Sequence, residues 1–166
     1  FFRDAAGGGP DAPQFGWYHI RHWPFPERFE GEGPNAPKNF YDCWGGFGGL
    51  PDWRTESPEV RDYLFSAIRK WMATGIDGWR LDVANAVEDD FWREFRRVVR
   101  EGNPEGYILG EIWEASGHWL QGDMFDATMN YPFRGAVLGF FGEEKDDAGS
   151  FRTKIQNLLV SLPPQA

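Results

Sequence analysis

Two strand-like runs of the sequence constrain the fold more than any other feature. The first covers residues 75–83, Gly-Ile-Asp-Gly-Trp-Arg-Leu-Asp-Val, and the second covers residues 107–113, Tyr-Ile-Leu-Gly-Glu-Ile-Trp. Each carries a carboxylate where its apolar stretch stops, Asp82 in the first and Glu111 in the second. A helical pattern lies between them, and the whole has the length of one strand–helix–strand unit, about 30 residues or more. Such a unit predicts two parallel strands with a helix across them.

The position of the two carboxylates suggests a reaction. Successive side chains of a strand point to opposite faces, which places Arg80 and Asp82 on the same side. In a parallel barrel, the C-terminal ends of neighbouring strands form the mouth where active sites lie. Two carboxylates at that mouth, one of them beside an arginine, suit glycoside hydrolysis, which needs an acid and a nucleophile flanking one bond.

Local signals predict the remaining elements. A helix should begin at Ser57-Pro58-Glu59, with serine as the N-cap, and should end at Gly75. Apolar residues at 91, 95, 98 and 99 mark the next helix, which ends near residues 102–104. Further expected elements are strands over 76–83, 107–112, 124–130 and 157–160, a short helix near 115–121 and a helix over 150–156. Residues 1–56 are rich in glycine, proline and aromatics without a sustained period, and they predict a long loop rather than regular elements.

The same residues carry a resemblance to a known family. Residues 75–87, GIDGWRLDVANAV, resemble the nucleophile-bearing segment of the α-amylase family of glycoside hydrolases, and residues 108–113, ILGEIW, resemble its acid/base segment. Three flanking segments, at 41–53, 119–126 and 129–133, resemble the neopullulanase, cyclomaltodextrinase and maltogenic amylase branch. The resemblance covers most of the chain in the order of the family.

The resemblance implies an α/β fold, a partial (β/α)8 TIM barrel that contains roughly strands 4 to 7. Residues 1–56 would be the long loop between the third strand and the third helix, residues 57–161 the partial catalytic barrel, and residues 162–166 a divergent tail. The family has an Asn-His segment upstream and a His-Asp pair downstream, where this chain reads Leu162-Pro163-Pro164. We therefore expect an internal fragment of a catalytic domain, with little or no activity alone.

The resemblance also implies catalytic roles. Asp82 would be the nucleophile and Glu111 the general acid/base, while Arg80 would keep Asp82 ionised and oriented. The acid role requires a proton at neutral pH, and Ile112 and Trp113 would supply apolar surroundings for it. The alternatives are a helix-capping Asp82, a structural ion pair for Arg80 and a charged strand end for Glu111.

Five residues are expected to bind substrate: Arg80, Asn85, Trp113, Asn130 and Tyr131. For Asn130 and Tyr131, ordinary packing at the rim of the barrel is an equal alternative. Ala86 stands where the branch often has a glutamate, which leaves linkage preference and transglycosylation open.

Charge and composition limit the partners. The formal net charge of −9 argues against nucleic acid or an anionic membrane as partner, whereas a neutral α-glucan remains compatible. The single cysteine, Cys43, cannot form an internal disulfide. No signal peptide or membrane span is visible, and the location is left open, with a cytoplasmic one slightly favoured. No cofactor or metal site is expected, since the scattered carboxylates that could bind calcium form no EF-hand-type loop, and the sequence does not indicate an oligomeric state.

The resemblance implies a retaining glycoside hydrolase that acts on α-glucosidic bonds of malto-oligosaccharides, starch, pullulan or cyclodextrins. Two other classes remain open. A catalytically inactive amylase-like interaction domain would normally have lost one of the two carboxylates. A carbohydrate-binding module would account for the nine tryptophans and fifteen phenylalanines but not for two carboxylates in the family's order.

Overall fold

The structure, a computed structural model, describes residues 1–27 and 39–164. The chain divides into two units, Phe1–Leu64 and Phe65–Ala166. All of the site residues predicted from the sequence belong to the second unit.

A parallel sheet lies at the centre of the second unit. It consists of β1 (Gly78–Leu81), β2 (Tyr107–Gly110) and β3 (Ala127–Thr128), in the spatial order β1-β2-β3. Both pairings are parallel, with Leu81 opposite Gly110 and Leu109 opposite Ala127. The predicted strand–helix–strand unit is thus confirmed, and the strand predicted over 124–130 is reduced to two paired residues.

Five α-helices are present in the described residues. They are α1 (Phe2–Gly8), α2 (Pro58–Met72), α3 (Asp89–Gly102), α4 (Tyr131–Val137) and α5 (Ala148–Ser161). Between β1 and β2, α3 has two acidic residues in its first turn and Arg100 in its last turn, both favourable with the helix dipole. A π-helix, Leu138–Gly142, continues α4.

One face of α3 supplies much of the core of the second unit. Phe91, Trp92, Phe95, Val98 and Val99 are all buried on this helix. The ring of Trp92 makes edge-to-face contacts with three phenylalanines at centroid distances of 5.2–5.5 Å, namely Phe91, Phe95 and Phe125. Such packing fixes the helix against the residues that precede β3.

In the first unit, residues 1–56 contain more structure than the predicted long loop. Helix α1 was not expected, since it has no apolar period; its Phe2 ring instead packs on Tyr18 and Tyr41 at 4.9 and 4.7 Å. Three isolated antiparallel bridges connect Tyr18 with Trp53, Ile20 with Tyr41, and Cys43 with Pro51. Part of the predicted loop, residues 28–38, lies outside the described residues.

The prediction of a strand over residues 157–160 is wrong. Helix α5 begins after Asp147, whose side chain accepts a hydrogen bond from the Ser150 backbone N–H at 2.7 Å, and runs without a break to Ser161. A four-residue apolar run cannot be assigned to strand or helix by periodicity alone, and here the preceding helix continues through it. Residues 1–27 and 39–164 therefore contain three parallel strands instead of the four expected.

The short helix predicted near residues 115–121 is also wrong, because this segment forms turns. The Trp119 N–H donates to the Ser116 carbonyl at 3.0 Å, three residues back, as in a turn. Gly117 lies within the segment, and Gly122 follows it with a φ of +95°. A segment this short, with one glycine inside it and another after it, does not sustain a helix.

Candidate active site

The ends of β1 and β2 bring the two predicted carboxylates together. Asp82 directly follows β1 and Glu111 directly follows β2. Because Leu81 lies opposite Gly110 in the parallel register, the two acids leave the sheet side by side at one edge. The Glu111 N–H also donates to the Leu81 carbonyl at 2.9 Å, which extends the pairing up to the acid itself.

Arg80 contacts both carboxylates. Its Nη2 lies 2.7 Å from Glu111 Oε1, and its Nη1 donates to Asp82 Oδ1. Hydrogen bonding to Asp82, together with the charge of Glu111, raises the pKa of Arg80 above its usual value. The sequence predicted the contact with Asp82, and the structure adds the contact with Glu111.

The two acids differ in exposure. The Asp82 side chain is 64% exposed, while that of Glu111 is only 9% exposed. Glu111 accepts from Tyr131 Oη at 3.1 Å and from the Val83 N–H at 3.2 Å, besides Arg80. Hydrogen-bond donors therefore surround this carboxylate, whereas the sequence predicted apolar surroundings.

Trp113 and Tyr131 form an aromatic pair beside Glu111. Their rings stack at a centroid distance of 5.2 Å and an angle of 23°, and Trp113 is 63% exposed. Trp113 thus turns toward solvent and Tyr131 and does not enclose the acid as expected. The hydrogen bond to Glu111 raises the pKa of Tyr131, because loss of the phenolic proton would remove the donor.

The two predicted asparagines form hydrogen bonds with residues other than the two acids. Asn85 donates from Nδ2 to Glu114 Oε1 at 3.3 Å, a partner that the sequence did not indicate. Asn130 is the N-cap of α4, and its Oδ1 accepts from the Phe133 N–H at 3.4 Å. The Asn130 oxygen thus has a structural contact at the start of that helix.

Sequence reasoning missed the role of Val83. This residue has φ 39° and ψ 55°, a left-handed conformation that is rare for a β-branched residue. The conformation directs its N–H to Glu111 Oε2. Valine ordinarily favours extended strands, so the residue type carried no signal for this turn.

The described residues contain neither a metal-binding cluster nor a membrane-spanning helix. Within residues 1–27 and 39–164, no group of three or more His, Cys, Asp and Glu side chains is arranged to hold a metal ion. In that same part of the chain, every helix is too short or too polar to cross a bilayer.

A sequence model of the α-amylase catalytic domain matches residues 9–161. The chain therefore belongs to the α-amylase family.

The most similar relatives include enzymes of one branch. A cyclomaltodextrinase from a Bacillus species is 46% identical over 166 residues, 99% of this chain and 28% of that protein. Neopullulanase 2 of Thermoactinomyces vulgaris is 41% identical over 165 residues, 99% of this chain and 27% of that protein. The chain thus spans about a quarter of the length of the curated relatives it matches.

A solved structure supports the fold. The cyclic α-maltosyl-(1→6)-maltose hydrolase of Arthrobacter globiformis superposes with a TM-score of 0.89 at 33% identity, covering 99% of this chain and 35% of that one. Together with the parallel sheet, this likeness shows that the fold is part of a TIM barrel.

Proposed function

We propose that the protein containing this chain is a retaining glycoside hydrolase that cleaves α-glucosidic bonds. The observation that carries the proposal is the contact of one guanidinium, that of Arg80, with two carboxylates at the ends of adjacent parallel strands. Glycosidases of this class need two carboxyl groups close together, about 5–5.5 Å apart when configuration is retained.

The exposure of the two acids supports a division of roles. The exposed Asp82 carboxylate attacks the anomeric carbon, and the glycosidic bond breaks as Glu111 gives its proton to the departing oxygen. Glu111 then removes a proton from water, whose oxygen attacks the same carbon and releases Asp82. The contacts that hold Glu111 on three sides suit a group that must serve twice in one position.

Neutral α-glucans are the proposed substrates. The names of the relatives point to cyclodextrins, pullulan and malto-oligosaccharides. The stacked pair of Trp113 and Tyr131 offers an apolar ring surface next to the acid/base, as aromatic-lined sites do. We assign Asn85, with Glu114, and Asn130 to the edges of the same cleft.

We further propose that β1, β2 and β3 are the fourth to sixth strands of the barrel. In this assignment, residues 1–56 form the loop after the third strand, residues 57–161 belong to the catalytic barrel and residues 162–166 form a divergent tail. The order of the family segments along the chain supports the assignment.

A trapping experiment tests the function. A fluorinated glycosyl fluoride is expected to label Asp82 covalently, as located by mass spectrometry of the peptides. Asp82→Asn should abolish labelling, whereas Asp90→Asn, a matched change of an exposed residue on α3, should leave it intact.

The outcome separates the alternatives. An inactive interaction domain or a binding module would bind sugar without acquiring a label. NMR of early products of maltotriose cleavage gives the stereochemistry, and an inverted product would contradict the assignment of Asp82 as nucleophile.

A further inference from the structure

We propose that Trp92 is a positioning residue for Glu111, acting through the left-handed turn at Val83. The proposal rests on the function proposed above, in which Glu111 is the acid/base. Trp92 lies on α3 and contacts neither carboxylate, so the proposal extends the catalytic site to a residue of the core.

The turn at Val83 needs an explanation. A φ of 39° crowds the branched side chain of a valine against its own backbone, so the conformation persists only where the surrounding structure imposes it. The residue follows Asp82 directly, at the end of β1.

The contacts of Ala84 show what holds the turn. The Trp92 Nε1–H donates to the Ala84 carbonyl at 2.7 Å in a buried position. The Ala84 N–H donates to the Glu111 carbonyl at 3.2 Å. Trp92 is itself fixed by its three phenylalanine neighbours, so it anchors the turn from the core.

The anchored turn orients one oxygen of the acid/base. The Val83 N–H reaches Glu111 Oε2 at 3.2 Å, while Arg80 and Tyr131 contact Oε1. The Arg80 contact is shared with Asp82, whereas the Val83 contact comes from the backbone and depends on the turn. A proton donor must lie within hydrogen-bond reach of the glycosidic oxygen, so loss of this contact should misplace it.

Two matched variants test the geometry. Trp92→Phe keeps an aromatic ring but removes the donor to Ala84. Trp79→Phe is the control, because Trp79 Nε1 donates at 3.0 Å to Met72 Sδ, away from the turn. In a crystal structure of Trp92→Phe, we expect Val83 to leave the left-handed region and its N–H to lie beyond hydrogen-bond distance of Glu111. A turn that persists unchanged would overturn the proposal.

Kinetics test the consequence, on the active polypeptide that contains these residues. Maltotriose requires a protonated leaving group, whereas the fluoride of α-maltosyl fluoride departs with little help from an acid. We expect Trp92→Phe to lower kcat/KM for maltotriose about 10- to 100-fold and kcat/KM for the fluoride far less. This ratio reports formation of the glycosyl-enzyme and not its hydrolysis, in which Glu111 serves both substrates as the base. Trp79→Phe should change kcat/KM for the two substrates by the same factor. An equal loss of kcat/KM for both substrates in Trp92→Phe would mean that Trp92 has only a structural role.

A second change keeps the test decisive if Trp92→Phe folds poorly. Glycine adopts the left-handed conformation without steric cost, so Val83→Gly should partly restore both folding and maltotriose cleavage in the Trp92→Phe background. Absence of recovery in a folded double variant contradicts the proposal. Glu111→Gln distinguishes a failure of the proposed function from a failure of the role of Trp92. If Glu111→Gln retains maltotriose cleavage, the proposed function is wrong. If Glu111→Gln is inactive while Trp92→Phe cleaves maltotriose as wild type does, only the role of Trp92 is wrong.

Discussion

At the scale of single residues, Arg80 holds the two carboxylates of the site by two different nitrogens. Nη1 contacts Asp82, and Nη2 contacts Glu111. A lysine ammonium is a compact charge on a flexible stem and cannot reproduce this fork. Arginine at position 80 is therefore needed to orient both carboxylates, in addition to supplying a positive charge.

We predict that Arg80→Lys lowers kcat/KM for maltotriose by about 100-fold or more, since both catalytic groups lose their common orientation. Arg97→Lys is the control, because Arg97 pairs with Glu94 and Glu101 on the exposed face of α3. Steady-state kinetics of the two variants decide the matter. Equal activities would mean that Arg80 contributes charge alone.

Tyr131 has two separable contacts, a ring stacked on Trp113 and a hydroxyl bonded to Glu111. Tyr131→Phe keeps the ring, so we expect kcat to fall about 10- to 100-fold, in keeping with one hydrogen bond to a charged group, at similar KM. Trp113→Ala should instead raise KM. Tyr107→Phe, at the opposite end of β2, is the control and should behave as wild type.

At the scale of secondary-structure elements, the π-helix after α4 packs against the ion pair of Asp146 and Lys154. Asp146 accepts from Ser150 Oγ at 2.9 Å and from Lys154 Nζ, and its N–H donates to the Gly139 carbonyl at 3.1 Å. A Cβ at Gly139 would overlap with Asp146 Oδ2. A residue with a Cβ at this position would therefore displace the Asp146 carboxylate.

We predict that Gly139→Ala lowers the free energy of unfolding by about 1–3 kcal/mol, the usual cost of overpacking. Gly135→Ala, within α4 and open to space on its Cβ side, should instead be neutral or stabilising by up to about 1 kcal/mol. Urea unfolding of both variants measures the difference. Equal stabilities would show that the π-helix relaxes without cost.

The same ion pair predicts a pH dependence. The contacts of Asp146 with Lys154 and Ser150 lower its pKa below the ordinary value of 3.8. A carboxyl whose pKa is lowered by folding stabilises the protein at pH values above its unfolded-state pKa. That contribution is lost as the pH falls through the lower, folded-state pKa. The Tm should therefore fall less steeply between pH 6 and pH 2 in Asp146→Asn than in wild type. In a Lys154→Met background, the effect of Asp146→Asn on this fall should be smaller.

Sequence patterns predicted some elements better than others for a physical reason. The strand–helix–strand unit was predicted because the buried face of α3 repeats over 14 residues, which identifies a helix between the two strand-like runs. The run at 157–160 is too short for that, and its Leu159 and Val160 are exposed on α5. At the site, residue types predicted Asp82 and Glu111, but the turn at Val83 depends on Trp92, whose contact no local pattern encodes.

At the scale of the whole molecule, the sheet of the described residues has two outer strands, β1 and β3. A barrel pairs every strand on both sides, and this chain covers about a quarter of its curated relatives. We predict that these 166 residues alone turn over maltotriose, pullulan and cyclodextrin at less than about 1 s⁻¹, the low end of ordinary enzyme rates. Faster turnover that vanished in Asp82→Asn would show that the chain suffices.

The shared contacts of Arg80 have a consequence for the charge balance of the proposed reaction. When Asp82 becomes an ester in the glycosyl-enzyme, its negative charge disappears, and the positive charge of the guanidinium is left facing Glu111. An unshared cation favours the ionised carboxylate, which is the form that accepts a proton from water. Formation of the intermediate would thus itself prepare the base for the second step, with no movement of the chain.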